Sequence, residues 1–352
     1  KYMNREDVKD DDLDVPPRTN VLSILRGWSS AVTLIEGSRG QWRGGGYYVR
    51  WRGTGIVIDP GLDFLRNFHD DGHHAKDIHA VLVSHNHPDH NHDLTAIDDL
   101  RYELWSRATR RGDKSDTTFT TPYVVVWDED TARAVEFAVP HNARHRRKEI
   151  QFTTGRCNPT DTVVRPFGLP FSVTYFPVEH NLPNPVGFVL TLHVGDADRP
   201  DDVRVGYTGD TQFFDALPDR LKGCDVLVAH MSQPDTRDDN HELRDGTKKK
   251  RHHLGYRGVI DLFNKTDAKV NLIGEFWAGV ADLRIDLVHG VRVYCPDRTV
   301  LPAGIGLVLR LPELEADCTS CRKPTPYERL TVAPPAVPFG NLAYLCDECF
   351  LS

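Results

Sequence analysis

The sequence predicts a layered α/β fold, and three observations carry that expectation. Short apolar, β-branched runs recur along the chain and alternate with stretches of helical periodicity, the pattern of sheets covered by helices. Several of those runs end abruptly in His, Asp or Glu, so polar chemistry is gathered at strand ends. The third observation is composition: 352 residues with 39% hydrophobic and 27% charged residues suffice for one large core plus an appendage.

In chain order, residues 22–26, 32–36, 47–51 and 54–59 read as opening strands, and 79–84 as a buried strand. Residues 94–107 place Leu94, Ile97, Leu100 and Leu104 near one helical face. A variable region at 107–161 follows, with a strand-like 123–127, a helix-like 131–139 and basic clusters. Strands are then expected at 171–176, 186–193, 203–207 and 225–230, a helix at 254–263, a strand ending at 274 and a helix at 282–289. Residues 305–311 read as the last strand of the second sheet. Three divisions result: a polar extension (1–20), a main domain (21–312) with the insertion at 107–161, and a C-terminal module (313–352).

Ser84-His85-Asn86-His87-Pro88-Asp89-His90 follows the apolar run Ala80-Val81-Leu82-Val83. Packing cannot satisfy three imidazoles and a carboxylate crowded onto one turn. These are ligands that suit zinc and similar divalent ions, and the turn can serve two of them. Further candidates stand at other strand ends: His180 after 171–177, Asp210 in Gly206-Tyr207-Thr208-Gly209-Asp210-Thr211, and His230 after 225–229.

On these residues the chain resembles a metallo-β-lactamase-fold hydrolase over about 31–309. Ile56-Val57-Ile58-Asp59-Pro60-Gly61 resembles the first motif, in which an Asp supports the metal loop without binding metal. His85, His87, Asp89 and His90 match the second motif, His180 the third and Asp210 the fourth, whose Asp bridges two metals. The order is similar to the ribonuclease Z-like, tRNA 3′-processing branch, in which a His opening a helix assists catalysis and a later strand-end His binds the second metal. His253 stands at the first of these positions; Glu275 stands where the second His is expected, so either residue can complete the second site.

The resemblance implies a four-layer αββα sandwich. It also implies two divalent ions, zinc first, with manganese or iron tolerated, especially if Glu275 ligates. They would activate a bridging hydroxide, with Asp89, His230 and His253 as the catalytic candidates and His230 as a candidate acid.

Cys318-x-x-Cys321 and Cys346-x-x-Cys349 are separated by 24 residues and read as a tetrahedral four-thiolate structural zinc site in a ribbon-like module. Cys224 and Cys295 sit in apolar surroundings as packing residues, and Cys157 is isolated. No apolar run approaches the ~20 residues that span a bilayer. With no secretory signature at 1–18 and reduced cysteines expected, the chain reads as cytoplasmic.

A net charge of −8 argues against a general nucleic-acid-binding surface. The positive charges are nevertheless clustered, at Arg107, Arg110, Arg111 and Lys114, at Arg144, Arg146, Arg147 and Lys148, and at Lys248, Lys249, Lys250 and Arg251. The last run leads into His252 and His253, where it could draw in a phosphate-bearing substrate. A nuclease or phosphodiesterase acting on nucleic acid or nucleotides is therefore the first expectation. A carbonyl hydrolase of lactonase or thioesterase type is the alternative. A catalytic subunit that meets a protein partner, or a second copy, through the C-terminal module or the 107–161 insertion is a further reading.

Overall fold

The structure is a computed structural model. It describes residues 20–29, 43–111, 124–127, 151–154, 162–166, 168–195, 201–232, 252–276, 282–336 and 340–351. The expected strand at 32–36, the helix at 131–139, Cys157 and the Lys248, Lys249, Lys250 and Arg251 run lie outside the described residues.

Two sheets dominate. The first contains β1 (Val21–Ile24), β2 (Tyr47–Trp51), β3 (Thr54–Ile58), β4 (Ala80–Leu82), β5 (Val124–Trp127) and β6 (Gln151–Thr154). The second contains β7 (Thr162–Val164), β8 (Phe171–Pro177), β9 (Val186–Leu192), β10 (Val203–Tyr207), β11 (Val226–His230), β12 (Val270–Gly274) and β13 (Thr299–Pro302). β14 (Val308–Arg310) returns to the first sheet against β1, followed by β15 (Glu315–Asp317) and β16 (Pro324–Pro326). The strand expected as the last of the second sheet therefore lies inside the first, between β1 and β15. The second sheet ends instead with β13, a short run that the sequence reading passed over. A small hairpin of β17 (Thr331–Ala333) and β18 (Ala343–Leu345) carries the end of the chain.

Alternation along each strand explains why the sheets stack. Ile56, Ile58, Ala80 and Leu82 face inward and meet Val226, Val228, Leu272 and Leu301 from the second sheet in one buried core. Their neighbours Val57, Val81 and Val83 face outward. They pack against Phe64 and Phe68 of α1 (Phe64–Asp70) and, beyond the short α2 (Pro88–Asn91), Leu94 and Ile97 of α3 (Leu94–Arg111). On the other side, Leu227, Ala229, Ile273 and Val300 pack against α4 (Leu217–Leu221), α5 (Tyr256–Lys265) and α6 (Arg284–Tyr294). The layers are helix, sheet, sheet, helix, as the resemblance implied. Among the described residues no helix is long and apolar enough to cross a membrane.

The sheets' direction positions the chemistry. β3 and β4 run parallel, as do β10, β11 and β12, and β8 runs antiparallel to β9, which is antiparallel to β10. The carboxyl ends of β3, β4, β8, β10, β11 and β12 open on one edge of the sandwich. The C-terminal residues are bonded to the same body: Tyr344 donates to the Pro302 carbonyl at 2.8 Å, and Leu314, Ala316, Leu330, Leu342 and Tyr344 join the central core.

Candidate metal centre

Each strand end delivers one group. β3 gives Asp59, β4 the 84–90 loop, β8 His180, β10 Asp210, β11 His230 and β12 Glu275. Gly61 lets the loop after β3 pass directly under the Asp89 backbone, since a Cβ there would lie 1.9 Å from the Asp89 carbonyl oxygen. The strand-end readings of the sequence thus meet in one place, as two adjoining clusters that share Asp210.

The first cluster is His85, His87, His180 and Asp210. The His85 Nε2 to His87 Nδ1 distance is 3.0 Å and His180 Nε2 to His87 Nδ1 is 3.3 Å. Proton positions follow from the surrounding bonds. Ser84 Oγ donates to Asp59 Oδ2 at 2.6 Å and so accepts from His85 Nδ1 at 2.9 Å, leaving His85 Nε2 bare. His180 Nδ1 donates to the His252 carbonyl at 2.7 Å, which leaves its Nε2 bare as well. Burial, aided by the neighbouring imidazoles, holds His85 well below the ordinary imidazole range. Burial likewise lowers His87 and pushes His180 down to about 4. Neutral rings with lone pairs aimed at one another repel unless a cation lies among them, and this donor set fits a divalent ion.

The second cluster is His90, Asp210, His230 and Glu275, all buried. His90 Nδ1 donates to Asp59 Oδ2 at 2.7 Å, and its Nε2 faces Asp210 Oδ2 and Glu275 Oε1, each 3.5 Å away. That Nε2 is buried with no hydrogen-bond partner among the described residues, and an orphaned ligand atom of this kind fits an ion. His230 Nδ1 is 3.0 Å from Asp210 Oδ1 and also touches Glu275 Oε2, while its Nε2 meets the Tyr47 hydroxyl at 2.9 Å. Here burial opposes the imidazolium, but the carboxylates prevail: Asp210 and Glu275 raise His90, and Glu275 and Asp210 raise His230. Burial resists ionisation of the acids too, yet His90 holds Asp210 far below the usual carboxylate range, and Arg26 does the same for Glu275.

Both candidates for completing the second site lie close by, in different settings. Glu275 is inside the second cluster. His253 stands beside the first, a quarter exposed, with Nδ1 3.4 Å from Asp210 Oδ2 and 2.9 Å from Ser232 Oγ. Asp89 lies at the margin, its Oδ2 3.8 Å from His90 Nε2 and 3.6 Å from Arg26 Nη2. His230 is wholly enclosed rather than open to the mouth.

The sequence reading missed four residues around these clusters. Ser84 and Tyr207 both bond Asp59, the latter at 2.6 Å, Tyr47 bonds His230, and Arg26 bonds Glu275. Arg26 was the most detectable, being a charge that directly follows the apolar run of β1.

A third donor set lies in the C-terminal module. The thiols of Cys318, Cys321, Cys346 and Cys349 fall within 4.8 Å of one another, and Cys321 and Cys346 are 3.7 Å apart. Burial opposes ionisation of Cys318, but backbone N–H groups of Cys321, Cys346 and Ser320 bring it down to about 6. A thiol that ionises so readily fits a thiophilic ion.

Paired donor clusters at the strand ends of an αββα sandwich define a metal-dependent hydrolase. The chain belongs to the beta-lactamase superfamily: the family's model, described as "Beta-lactamase superfamily domain", matches residues 54–273. A ribonuclease Z from Thermobifida fusca is 38% identical over 74 residues, covering 21% of this chain and 22% of that protein. The chain thus spans about a fifth of this curated relative. The metallo-beta-lactamase fold protein YhfI from Bacillus subtilis superposes with TM-score 0.60 at 13% identity, over 82% of this chain and 98% of its own. The short form of human tRNase Z superposes with TM-score 0.52 at 14% identity, over 83% of this chain and 99% of its own. At such identities the likeness is one of fold.

Proposed function

We propose that the protein is a dinuclear metal-dependent phosphodiesterase acting on nucleic acid or a nucleotide. The observation that carries this reading is Asp210, which belongs to both donor sets: its Oδ2 lies 3.8 Å from His85 Nε2 and 3.5 Å from His90 Nε2, and its Oδ1 lies 3.0 Å from His230 Nδ1. In it, His85, His87 and His180 would hold one ion and His90, His230 and Glu275 the other, with Asp210 available to both. Two divalent ions supply Lewis acidity and bring a water's pKa toward neutrality. The chain's own residues do the rest. Asp59 fixes the His90 ring through its Nδ1 proton, and Ser84 fixes His85. His253, at the open rim, is the group placed to hand a proton to a departing oxygen. Asp89 is retained as a ligand or support of the second ion.

Two further features favour a phosphate-bearing substrate. One is the similarity to proteins named ribonuclease Z. The other is the sequence run Lys248, Lys249, Lys250 and Arg251, which precedes His252, the residue whose carbonyl accepts from His180. The reading also assigns one structural zinc to Cys318, Cys321, Cys346 and Cys349. It leaves the C-terminal module and the 107–161 insertion as the surfaces for any protein partner.

The test is hydrolysis by purified protein loaded with zinc or manganese, offered RNA, single-stranded DNA, cyclic nucleotides, lactones and thioesters in parallel. Cleavage of a phosphodiester that is lost in Asp210→Ala supports the proposal. Turnover confined to lactones or thioesters overturns it in favour of a carbonyl hydrolase.

A further inference from the structure

We infer that Arg26 is the positioning and charge-compensating residue that allows a carboxylate, Glu275, to serve in the second cluster. The inference rests on the two-ion reading above. Arg26 follows β1 and is 1% exposed, although a guanidinium is almost never buried without an anion to face. Its Nη2 donates to Glu275 Oε1 at 3.0 Å and to the Asp89 carbonyl at 2.9 Å, and lies 3.6 Å from Asp89 Oδ2. One guanidinium nitrogen thus ties the end of β12 to the loop after β4, the two segments that bound the second cluster.

Charge gives the reason for the pairing. An imidazole at position 275 would be neutral, and Glu275 adds a negative charge to a pocket that already buries Asp59 and Asp210 and has Asp89 at its margin. Arg26 adds one positive charge in direct contact with that carboxylate, so the pocket's net charge is what an imidazole with an apolar residue at 26 would give. Each member of the pair is costly alone, because an uncompensated buried charge is far more expensive than a compensated one. Backbone geometry points the same way. Glu275 has φ 57, a left-handed conformation that is unfavourable for a residue with a side chain and persists only where its surroundings fix it. Arg26 grips the carboxylate of that residue. Among the described residues the guanidinium's other nitrogens, Nε and Nη1, have no hydrogen-bond partner, so its attachments there are those to Glu275 and Asp89.

The pair also bears on ion choice. Two carboxylates and two imidazoles form a harder donor set than one carboxylate and three imidazoles. The Arg26–Glu275 pair should therefore raise the second site's tolerance of manganese relative to zinc.

The experiment compares full-length wild type, Glu275→His, and Arg26→Met/Glu275→His, reading bound manganese and zinc per chain and the dissociation constant of each ion. Wild type should load two ions besides the thiolate-bound one; loading only one would refute the two-ion reading rather than this inference. Glu275→His leaves Arg26 with only the more distant Asp89 carboxylate and should weaken the second ion by about 10- to 100-fold, the usual consequence of disturbing the groups around a metal ligand. The double variant should regain most of that affinity, with its manganese-to-zinc preference shifted toward zinc. A double variant that binds no better than Glu275→His would overturn the inference. If Glu275→His is recovered only unfolded, a folded double variant supports the pairing and an unfolded one overturns it.

Discussion

Asp59→Asn isolates the charge of one buried carboxylate from the shape of its loop. Asp59 is inaccessible to solvent and accepts four hydrogen bonds: Oδ1 takes the Ser84 N–H at 2.7 Å, and Oδ2 takes Ser84 Oγ at 2.6 Å, Tyr207 OH at 2.6 Å and His90 Nδ1 at 2.7 Å. Its φ of 46 lies in the left-handed region, which Asn tolerates as well as Asp, so the backbone is undisturbed. An Asn amide oxygen can replace Oδ1 toward the Ser84 N–H. The amide nitrogen then stands where Oδ2 stood, a donor facing three donors. The hydroxyls of Ser84 and Tyr207 can rotate, but the imidazole of His90 can only accept at Nδ1 by carrying its proton on Nε2. That nitrogen is the one aimed at the second cluster, so the substitution removes a ligand lone pair without touching the ligand.

The expected loss in second-ion affinity is about 10- to 100-fold, or about 1.4 to 2.8 kcal/mol. One buried donor left unsatisfied should add a destabilisation of about 1 to 3 kcal/mol in the metal-free protein. Calorimetric titration with manganese and thermal melting would measure the two effects separately. A variant that folds, loses stability and still binds both ions with wild-type affinity would refute the tautomer argument, because the lost charge would then act on packing alone.

Other outcomes follow from the same geometry. Asp210→Ala removes the oxygen pair common to both clusters and should lose both active-site ions and all turnover while retaining the thiolate-bound one, which elemental analysis would count. Cys318→Ser should release the ion of the C-terminal module and leave the two others; a metal count unchanged from wild type would refute a four-thiolate site. Leu272→Ala, in the wholly buried centre of β12, should cost about 2 to 5 kcal/mol in urea unfolding.

The fold was legible where patterns were strong. Strands 47–51, 54–59, 171–177 and 226–230 are long enough for alternation to register, and each ends in or near a polar residue that packing alone does not explain. Which of two late strands joins which sheet was not legible, because β13 and β14 are both short apolar runs on either side of a Pro-Ala-Gly turn. Only pairing distinguishes them: β13 lies beside β12, and β14 beside β1. The candidate ligand residues could be read because most stand at the end of an apolar run, but their division into two sets could not. His230 and Glu275 are 45 positions apart, and their contact depends on β11 and β12 running parallel and in register to His230 and Gly274. Arg26 is 249 positions from Glu275, and nothing local to either residue announces the partner.

Burial disfavours the imidazolium in both clusters, but carboxylates outweigh it only in the second, and the two should therefore fill in order. In the first cluster, burial dominates and His85, His87 and His180 are all lowered, so an ion there competes with fewer protons than at free imidazoles. In the second, the carboxylates dominate and His90 and His230 are raised, so an ion must displace protons there. The sign for stability follows. Raised imidazoles contribute stability that is fully present below their unfolded value of 6.5 and is lost as pH climbs through their folded values. Ion binding at this cluster gains strength over the same range, since fewer protons compete. Titration with manganese should therefore show one ion binding with weak pH dependence and a second whose affinity rises with pH, with more proton release at the second event. The stabilisation conferred by the second ion should grow with pH as well. Simultaneous loading of both ions at pH 6 without proton release would mean that Glu275 and Asp210 do not hold protons on His90 and His230. The electrostatic division between the clusters would then have to be abandoned.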